Sequence, residues 1–362
     1  MIVVAKIGTS SITGEDGGID EAAIGKFCTE VARLRLEGHR VVMVTSGAIA
    51  AGLPSLDFAS RPRDAVTLQA VSAVGQSRLM GVYDRALARH DLIGGQVLLA
   101  PLDFMVREQY LHARGTLNRL LELGVVPVVN ENDAIADDEI RFGDNDRLAA
   151  LVAHLIRADL LVLLTDIPGL LTADPRFDAS ASLIEEIIEV DQSLESLAGG
   201  AGSARGSGGM ASKLAAAKIA AWSGVRAVIG AAHRDDILTD AVSGVPGIGT
   251  VIHPRHDRLP ARKLWIAFAV GSSGTIVVDE GAKRALIERG VSLLPAGVVE
   301  AKGGFDVDTA VEVAGPDGAV FAKGLVRFDA AGLRAIAGQR TGQLPDGSPH
   351  EVIHRDDLVV LP

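Results

Sequence analysis

Through the first 250 residues, short apolar runs alternate with stretches of helical periodicity, and this pattern narrows the fold more than any single motif. The runs Ile2–Ile7, Arg40–Thr45, Gln96–Leu99, Val125–Val129, Leu160–Thr165 and Val225–Ile229 are largely continuous in apolar character rather than alternating. Strands buried on both faces read this way. Helical patterns separate them, at about 20–37, 63–89, 107–123, 146–157, 210–222 and 234–242. The expected architecture is therefore α/β: a mainly parallel sheet with helices on both sides, a three-layer αβα sandwich. Ligands of such sheets gather beyond the carboxyl ends of the strands.

The texture changes after His253. Residues 254–263 are charged and carry Pro254 and Pro260, which suits a linker. Beyond them lie short β-like runs, Leu264–Val270, Gly274–Val278, Ala310–Val313, Ala319–Val326 and Asp357–Leu361, with helical patterns only near 280–289 and 329–337. This predicts a domain over 1–253, a linker over 254–263 and a small β-barrel over 264–362. A chain of 362 residues exceeds one ordinary core, so two domains are expected on length alone.

Composition removes several classes of function. Cys28 is the single cysteine, which excludes an internal disulfide framework and a cysteine-based zinc site. Its place in an amphipathic helical stretch suits a small buried hydrophobe. Net charge is −11, so nucleic acid is not an expected partner. Aromatic residues make up 4% of the chain, too few for a base-stacking platform. No apolar run is long enough to cross a bilayer, and Met1 leads into a strand pattern without a basic leader, so a cytoplasmic protein is expected.

Polar residues concentrate at the expected strand ends. Lys6 lies in an apolar strand that continues into Gly8, Thr9, Ser10 and Ser11, able to set an ammonium and backbone N–H groups around phosphate oxygens. Thr45-Ser46-Gly47 brings small residues and hydroxyls to the next strand end. Asn130-Glu131-Asn132-Asp133, followed by Phe142-Gly143-Asp144-Asn145-Asp146 at a helix start, supplies acids and amides suited to an amino acid's ammonium group. Any one of these acids would more often be a helix cap, and Asp144 is placed to be one. Thr165-Asp166 ends another strand. The glycine-rich run from Gly199 to Gly209 leads into Met210-Ala211-Ser212-Lys213, flexible backbone ahead of a helix start that bears a lysine. It lacks the spacing of a P-loop, and no Gly-x-Gly-x-x-Gly follows the first strand.

Taken together and in order, these segments resemble the amino acid kinase family, in particular its glutamate-phosphorylating members. The tail resembles a PUA domain through Ile276 to Ala282, Ser292 to Gly297 and His354 to Asp357. The resemblance implies ATP-dependent phosphorylation of the side-chain carboxylate of L-glutamate to L-glutamyl 5-phosphate, the first step towards proline. It implies Lys6, Lys213 and Asp146 as the catalytic group, with Asp146 orienting the two lysines. Ser46, Asp133 and Asn145 would bind glutamate, with Asn130 and Asp144 close by. ATP would meet Lys6, Gly8, Thr165, Asp166, Ser207, Gly208, Gly209, Met210, Ala211, Ser212 and Lys213, and Mg²⁺ would bridge its phosphates. It further implies inhibition by L-proline, a homodimer or homotetramer, and a glutamate-5-semialdehyde dehydrogenase as downstream partner. Departures from the family pattern at Ala100, His112, Pro168 and Ser207 leave every residue given a catalytic role in place.

Two rival readings follow from the same features. An aspartate or UMP kinase would share the fold, but the first usually carries regulatory ACT domains and the second needs a surface for another nucleotide. A PUA-containing RNA-binding protein is the alternative from another class. Residues 255–362 hold 13 Lys+Arg against 14 Asp+Glu, and this near-neutral balance argues against it.

Overall fold

The computed structural model describes residues 1–14, 17–58, 60–100, 102–135, 145–174, 178, 180–198, 209–256, 258–268, 271–344 and 349–361. They form two compact units, Met1–Arg258 and Leu259–Pro362. The first runs β1 (Ile2–Ile7), α1 (Glu21–Leu36), β2 (Arg40–Val44), α2 (Ala48–Gly52), α3 (Ala65–Ala88), β3 (Gly94–Leu99), α4 (Leu102–Met105), α5 (Arg107–Glu122), β4 (Val126–Glu131) and α6 (Asn145–Leu155). It continues through β5 (Leu160–Thr165), β6 (Glu186–Ile187), α7 (Gln192–Ala198), α8 (Met210–Trp222), β7 (Arg226–Ala231), α9 (Ile237–Ser243) and β8 (Thr250–Ile252).

The strands form one sheet in the order β3-β4-β2-β1-β5-β7-β8-β6. Every pair is parallel except β7 with β8. β1 sits where the order reverses, with β2 on one side and β5 on the other, and a crevice opens beyond the strand ends at such a point. Side chains of β1 alternate between the two faces. Val3, Ala5 and Ile7 join Ile24, Phe27 and Val31 of α1 and Leu79 and Tyr83 of α3 in one core. Lys6 faces the opposite side, where α6 and α8 pack together over the sheet.

Local sequence explains where the helices start. Asp20 caps α1 by accepting from the N–H groups of Ala22 and Ala23, and Asp64 caps α3 through Thr67. α2 and α3 cross with their backbones in contact. A Cβ on Gly75 would lie 1.8 Å from the carbonyl oxygen of Ala48, and one on Gly52 2.1 Å from that of Val71. This contact fixes α2, and with it the turn Thr45-Ser46-Gly47 that feeds into it. Cys28 is buried, and burial pushes its thiol up to about 12, so it packs as an inert apolar group.

The second unit comprises α10 (Ala261–Phe268), β9 (Gly274–Val278), α11 (Glu280–Arg289), β10 (Val298–Gly303), β11 (Ala310–Ala314), β12 (Val320–Leu325), α12 (Ala330–Ile336) and β13 (Leu358–Val360). Its five-stranded sheet has the order β10-β9-β11-β12-β13, parallel only between β9 and β11. Ile276, Val278, Val311, Val313, Leu333 and Ile353 centre its core. No helix among the described residues is long and apolar enough to cross a membrane.

Over the described part of the strand expected at Leu264–Val270 the chain forms α10, whose first three residues fall inside the stretch 254–263 expected to be a linker. Leu264 and Ala267, one turn apart, are both buried, as is Ile266. A short apolar run of this kind fits either period, and Pro260 directly ahead of the first turn favours a helix start. The short strands β6 and β8, and β10, were not anticipated.

Replacing Gly75 with alanine should separate α2 from α3, an overpacking cost of about 2 kcal/mol or more. The midpoint of thermal unfolding of the first unit should fall by about 5 °C or more. An unchanged midpoint would show that the two backbones do not need this contact.

Candidate active site

β1, β2, β4 and β5 deliver their last residues to the same edge of the sheet, and α6 and α8 begin there. Lys6, next to last in β1, reaches Asp146 in the first turn of α6, with Nζ 2.5 Å from Oδ1. Lys213, in the first turn of α8, reaches the other oxygen, Oδ2, at 3.0 Å. Ser212 Oγ donates to the same Oδ2 at 3.0 Å. Asp146 is completely buried and both lysines nearly so.

Burial alone would push the Asp146 carboxyl up, but the two ammonium groups outweigh it and hold it down at about 2, against an ordinary 3.8. Its place at the start of α6 adds to this, since a helix N-terminus favours negative charge. Two ammonium groups around one carboxylate leave an excess of positive charge among these three side chains, suited to an incoming anion. A Cβ on Gly8 would stand 3.4 Å from the Lys6 ammonium, so glycine there keeps the approach uncovered. Gly209 precedes α8 and has no side chain to cap the N–H groups of its first turn, which includes Met210 and Ala211.

Asn145 stands beside Asp146 at the start of α6 and opens a second arrangement. Its Nδ2 donates to the Thr45 carbonyl at 2.5 Å, to Asn130 Oδ1 at 2.7 Å and to Ser46 Oγ at 3.1 Å. Asn130 Nδ2 donates in turn to Gln76 Oε1 of α3 at 2.7 Å. Thr45 Oγ1 pairs with the buried Tyr83 hydroxyl at 2.7 Å, which fixes the strand end against α3. Asp133 is held by Ser72 of the same helix, with Oγ donating to Oδ2 at 2.8 Å. Ser72, Gln76, Gln96, Glu131 and Asp133 line a cavity of about 250 Å³.

Thr165 and Asp166, at the end of β5, are joined by a 3.0 Å hydrogen bond. They open on a larger cleft of about 500 Å³ shared with Ser10, Lys26, Glu30 and His233. Glu30 accepts from the N–H groups of Asp236 at 2.8 Å and Leu238 at 3.3 Å, and burial raises its carboxyl against that pull. It therefore caps α9 from across the cleft.

The residues anticipated from sequence thus fall into connected groups. Lys6, Asp146, Ser212 and Lys213 form one; Ser46, Asn130 and Asn145 form the next, joined to the first through consecutive residues of α6. Asp133 lies on the cavity beyond, and Thr165 and Asp166 lie on the larger cleft. Asp144, Ser207 and Gly208 lie outside the described residues. Sequence reasoning missed Ser72 and Gln76. Their signal is a polar pair four residues apart within the buried face Val71, Gly75 and Leu79 of a long helix. Buried polar side chains at helical spacing call for partners.

The sequence matches the amino acid kinase family over residues 1–231 and the PUA domain over 274–345. A glutamate 5-kinase of Geobacter sp. (strain M21) is 45% identical to it, with 99% of this chain and 97% of that protein covered. The glutamate 5-kinase of Burkholderia lata is 44% identical with the same coverage. Among solved structures, T. acidophilum isopentenyl phosphate kinase in a product complex superposes with a TM-score of 0.51 at 18% identity, covering 70% of this chain and 100% of that one. Carbamate kinase from Giardia lamblia bound to AMP-PNP gives a TM-score of 0.51 at 16% identity, covering 70% and 98%. At these identities the two structures speak for the fold alone.

Asp146→Asn should leave two buried ammonium groups without their shared carboxylate, a loss of about 3–5 kcal/mol. A carboxyl whose folded value is depressed stabilises in full above its unfolded value and loses that contribution as pH falls through the folded one. The gap between wild type and variant should hold from neutral pH to about 3.8 and narrow towards about 2. Denaturant titrations across that range measure it. A gap of only about 1 kcal/mol at neutral pH, the value of an exposed pair, would deny the triad its buried character.

Proposed function

Since the chain belongs to the amino acid kinase family, within its glutamate 5-kinase branch, we propose that it transfers the γ-phosphoryl group of ATP to the side-chain carboxylate of L-glutamate. ADP and L-glutamyl 5-phosphate are the products, and the reaction is the entry to proline synthesis. The observation that carries this reading is the pair of lysines, from β1 and α8, clamped on one buried carboxylate.

The acceptor carboxylate is already ionised at neutral pH, so the reaction needs no general base. What it needs is positive charge at the moving phosphoryl group and two oxygens held in line. Lys6 and Lys213 supply the charge, and Asp146 keeps their ammonium groups pointed at a common place. The uncapped first turn of α8, from Gly209 through Lys213, takes phosphate oxygens on its backbone N–H groups. Ser207 and Gly208 belong to the same segment by sequence. Thr165 and Asp166 hold the nucleoside end of ATP, and the cleft beside them has the size of a small-ligand site. Ser46, Asn130, Asp133 and Asn145, with Asp144, hold glutamate.

Mg²⁺ in this reading would come with the nucleotide and would neutralise charge on its phosphates. Among the described residues no group of three or more His, Cys, Asp or Glu side chains converges on a metal position. L-proline, which shares glutamate's α-carboxylate and α-nitrogen but lacks a carboxylate to phosphorylate, would compete for the acceptor end.

ADP release measured with L-glutamate, L-aspartate, N-acetylglutamate and UMP should show turnover that depends on L-glutamate, with an acyl phosphate that hydroxylamine traps. Lys6→Ala or Lys213→Ala should lower turnover by about 10²–10³. Turnover with another acceptor and none with glutamate would refute the assignment. Labelled L-proline should be displaced by glutamate, and each ligand should weaken the other equally. Proline affinity unchanged at saturating glutamate would place it elsewhere.

A further inference from the structure

The chain of amides at the acceptor end has a direction, and the direction is fixed by the backbone. Thr45 C=O can only accept, so the Asn145 group facing it at 2.5 Å is its NH₂. Glu131 N–H can only donate, at 2.9 Å, so the Asn130 atom it meets is the oxygen. Asn130 then presents its NH₂ to Gln76, whose oxygen must face it at 2.7 Å. Reversing any one of these amides would set donor against donor or acceptor against acceptor. The chain therefore runs Asn145 to Asn130 to Gln76 and ends in the Gln76 NH₂. That nitrogen is buried and has no hydrogen-bond partner among the described residues, on a side chain only 8% exposed.

A buried donor left unpaired is costly, so an acceptor belongs beside it. Gln76 opens on the 250 Å³ cavity that it shares with Ser72, Glu131, Asn132 and Asp133. Asp133 is held on that cavity by Ser72, one turn earlier in α3. Two acids would repel a plain anion, whereas a molecule that carries an ammonium and a carboxylate on one carbon can turn the first towards the acids and the second towards the amide. That is an α-amino acid. Its second carboxylate then extends towards Asn145, and so towards Asp146 and the lysines.

We propose that Gln76 Nε2 is the donor for the α-carboxylate of the amino-acid acceptor, so that Gln76, at the end of a hydrogen-bonded amide chain that starts beside Asp146, is a specificity-determining residue. The assignment rests on the function proposed above. It gives α3, which carries none of the segments on which the family resemblance rests, a direct contact with the substrate.

The test uses the full chain with two replacements. Gln76→Met keeps the length and removes the donor. Gln76→Glu keeps the size, still accepts from Asn130, and sets a second carboxylate against the substrate's. KM for L-glutamate should rise about tenfold or more in both, the range of a hydrogen bond to a charged group, and further in Gln76→Glu. KM for ATP should stay within about twofold, because only one ligand loses its partner. Glutamate KM unchanged in both variants would overturn the assignment. So would parallel rises in both KM values, which would mark Gln76 as a packing residue of α3. A wild type without glutamate-dependent turnover would overturn the proposed function and this assignment together. An active wild type beside unaltered variants would overturn the assignment alone.

Discussion

Asp146 is fully buried, and its two oxygens each hold a lysine ammonium, one from the end of β1 and one from the start of α8. Removing three charges from water costs several kcal/mol for each, and short contacts at a helix start recover only part of it. A chain selected for stability alone would do as well with apolar residues in their place. Stability comes instead from the sheet, where Val3, Ala5, Val41, Met43, Val128 and Val162 are wholly buried. On the proposed function, the triad is a charge set in position before the reaction: positive, buried, and requiring little rearrangement when negative charge moves through it.

The same helix start governs the acceptor end. Asn145 and Asp146 are consecutive, so whatever sets the position of α6 sets the two lysine ammonium groups and the first link of the amide chain together. The first two links are oriented by backbone groups at the ends of β2 and β4, the third follows from the second, and those strands are locked by their parallel pairing. Side-chain amides that could otherwise flip are thereby given one orientation. The contact between α2 and α3 at Gly52 and Gly75 serves the same end, because α3 carries Ser72 and Gln76 while α2 follows directly on Ser46 and Gly47.

Much of this was legible in the sequence because strand ends in a parallel sheet are both punctuated and functional. Lys6 stood out as a charge in an apolar run, and Lys213 as a lysine after glycines at a helix start. Both signals are local. Gln76 and Ser72 were not found because nothing local marks them. They lie mid-helix, and only burial against the end of a strand four elements later turns them from ordinary helix polar residues into parts of a candidate site. α10 shows the complementary failure, since a short apolar run satisfies the period of a strand or of a buried helix turn, and tertiary packing decides. β8 pairs antiparallel with β7 after a short connection through α9, a choice that apolar content alone does not encode.

The sheet register turns these two ends into a gauge of substrate length. Lys6 is opposite Val44, and Val44 is opposite Val129, so Lys6 shares its row and sheet face with Val129, while Asn130, one residue on, projects from the other face towards α3. Two strand spacings hold the backbones of β1 and β4 roughly 10 Å apart, a distance that the backbone hydrogen bonds keep from adjusting. With the proposed acceptor in place, one carboxylate faces the lysines and the other faces the end of the amide chain. A diacid shorter by one methylene cannot satisfy both. Its penalty is more than the roughly 1–3 kcal/mol of a missing methylene, because either a buried amide or a buried ammonium loses its anion. On that reading, selectivity for chain length rests on groups positioned by hydrogen-bonded strands and not on the shape of an apolar pocket, which would yield to a smaller guest.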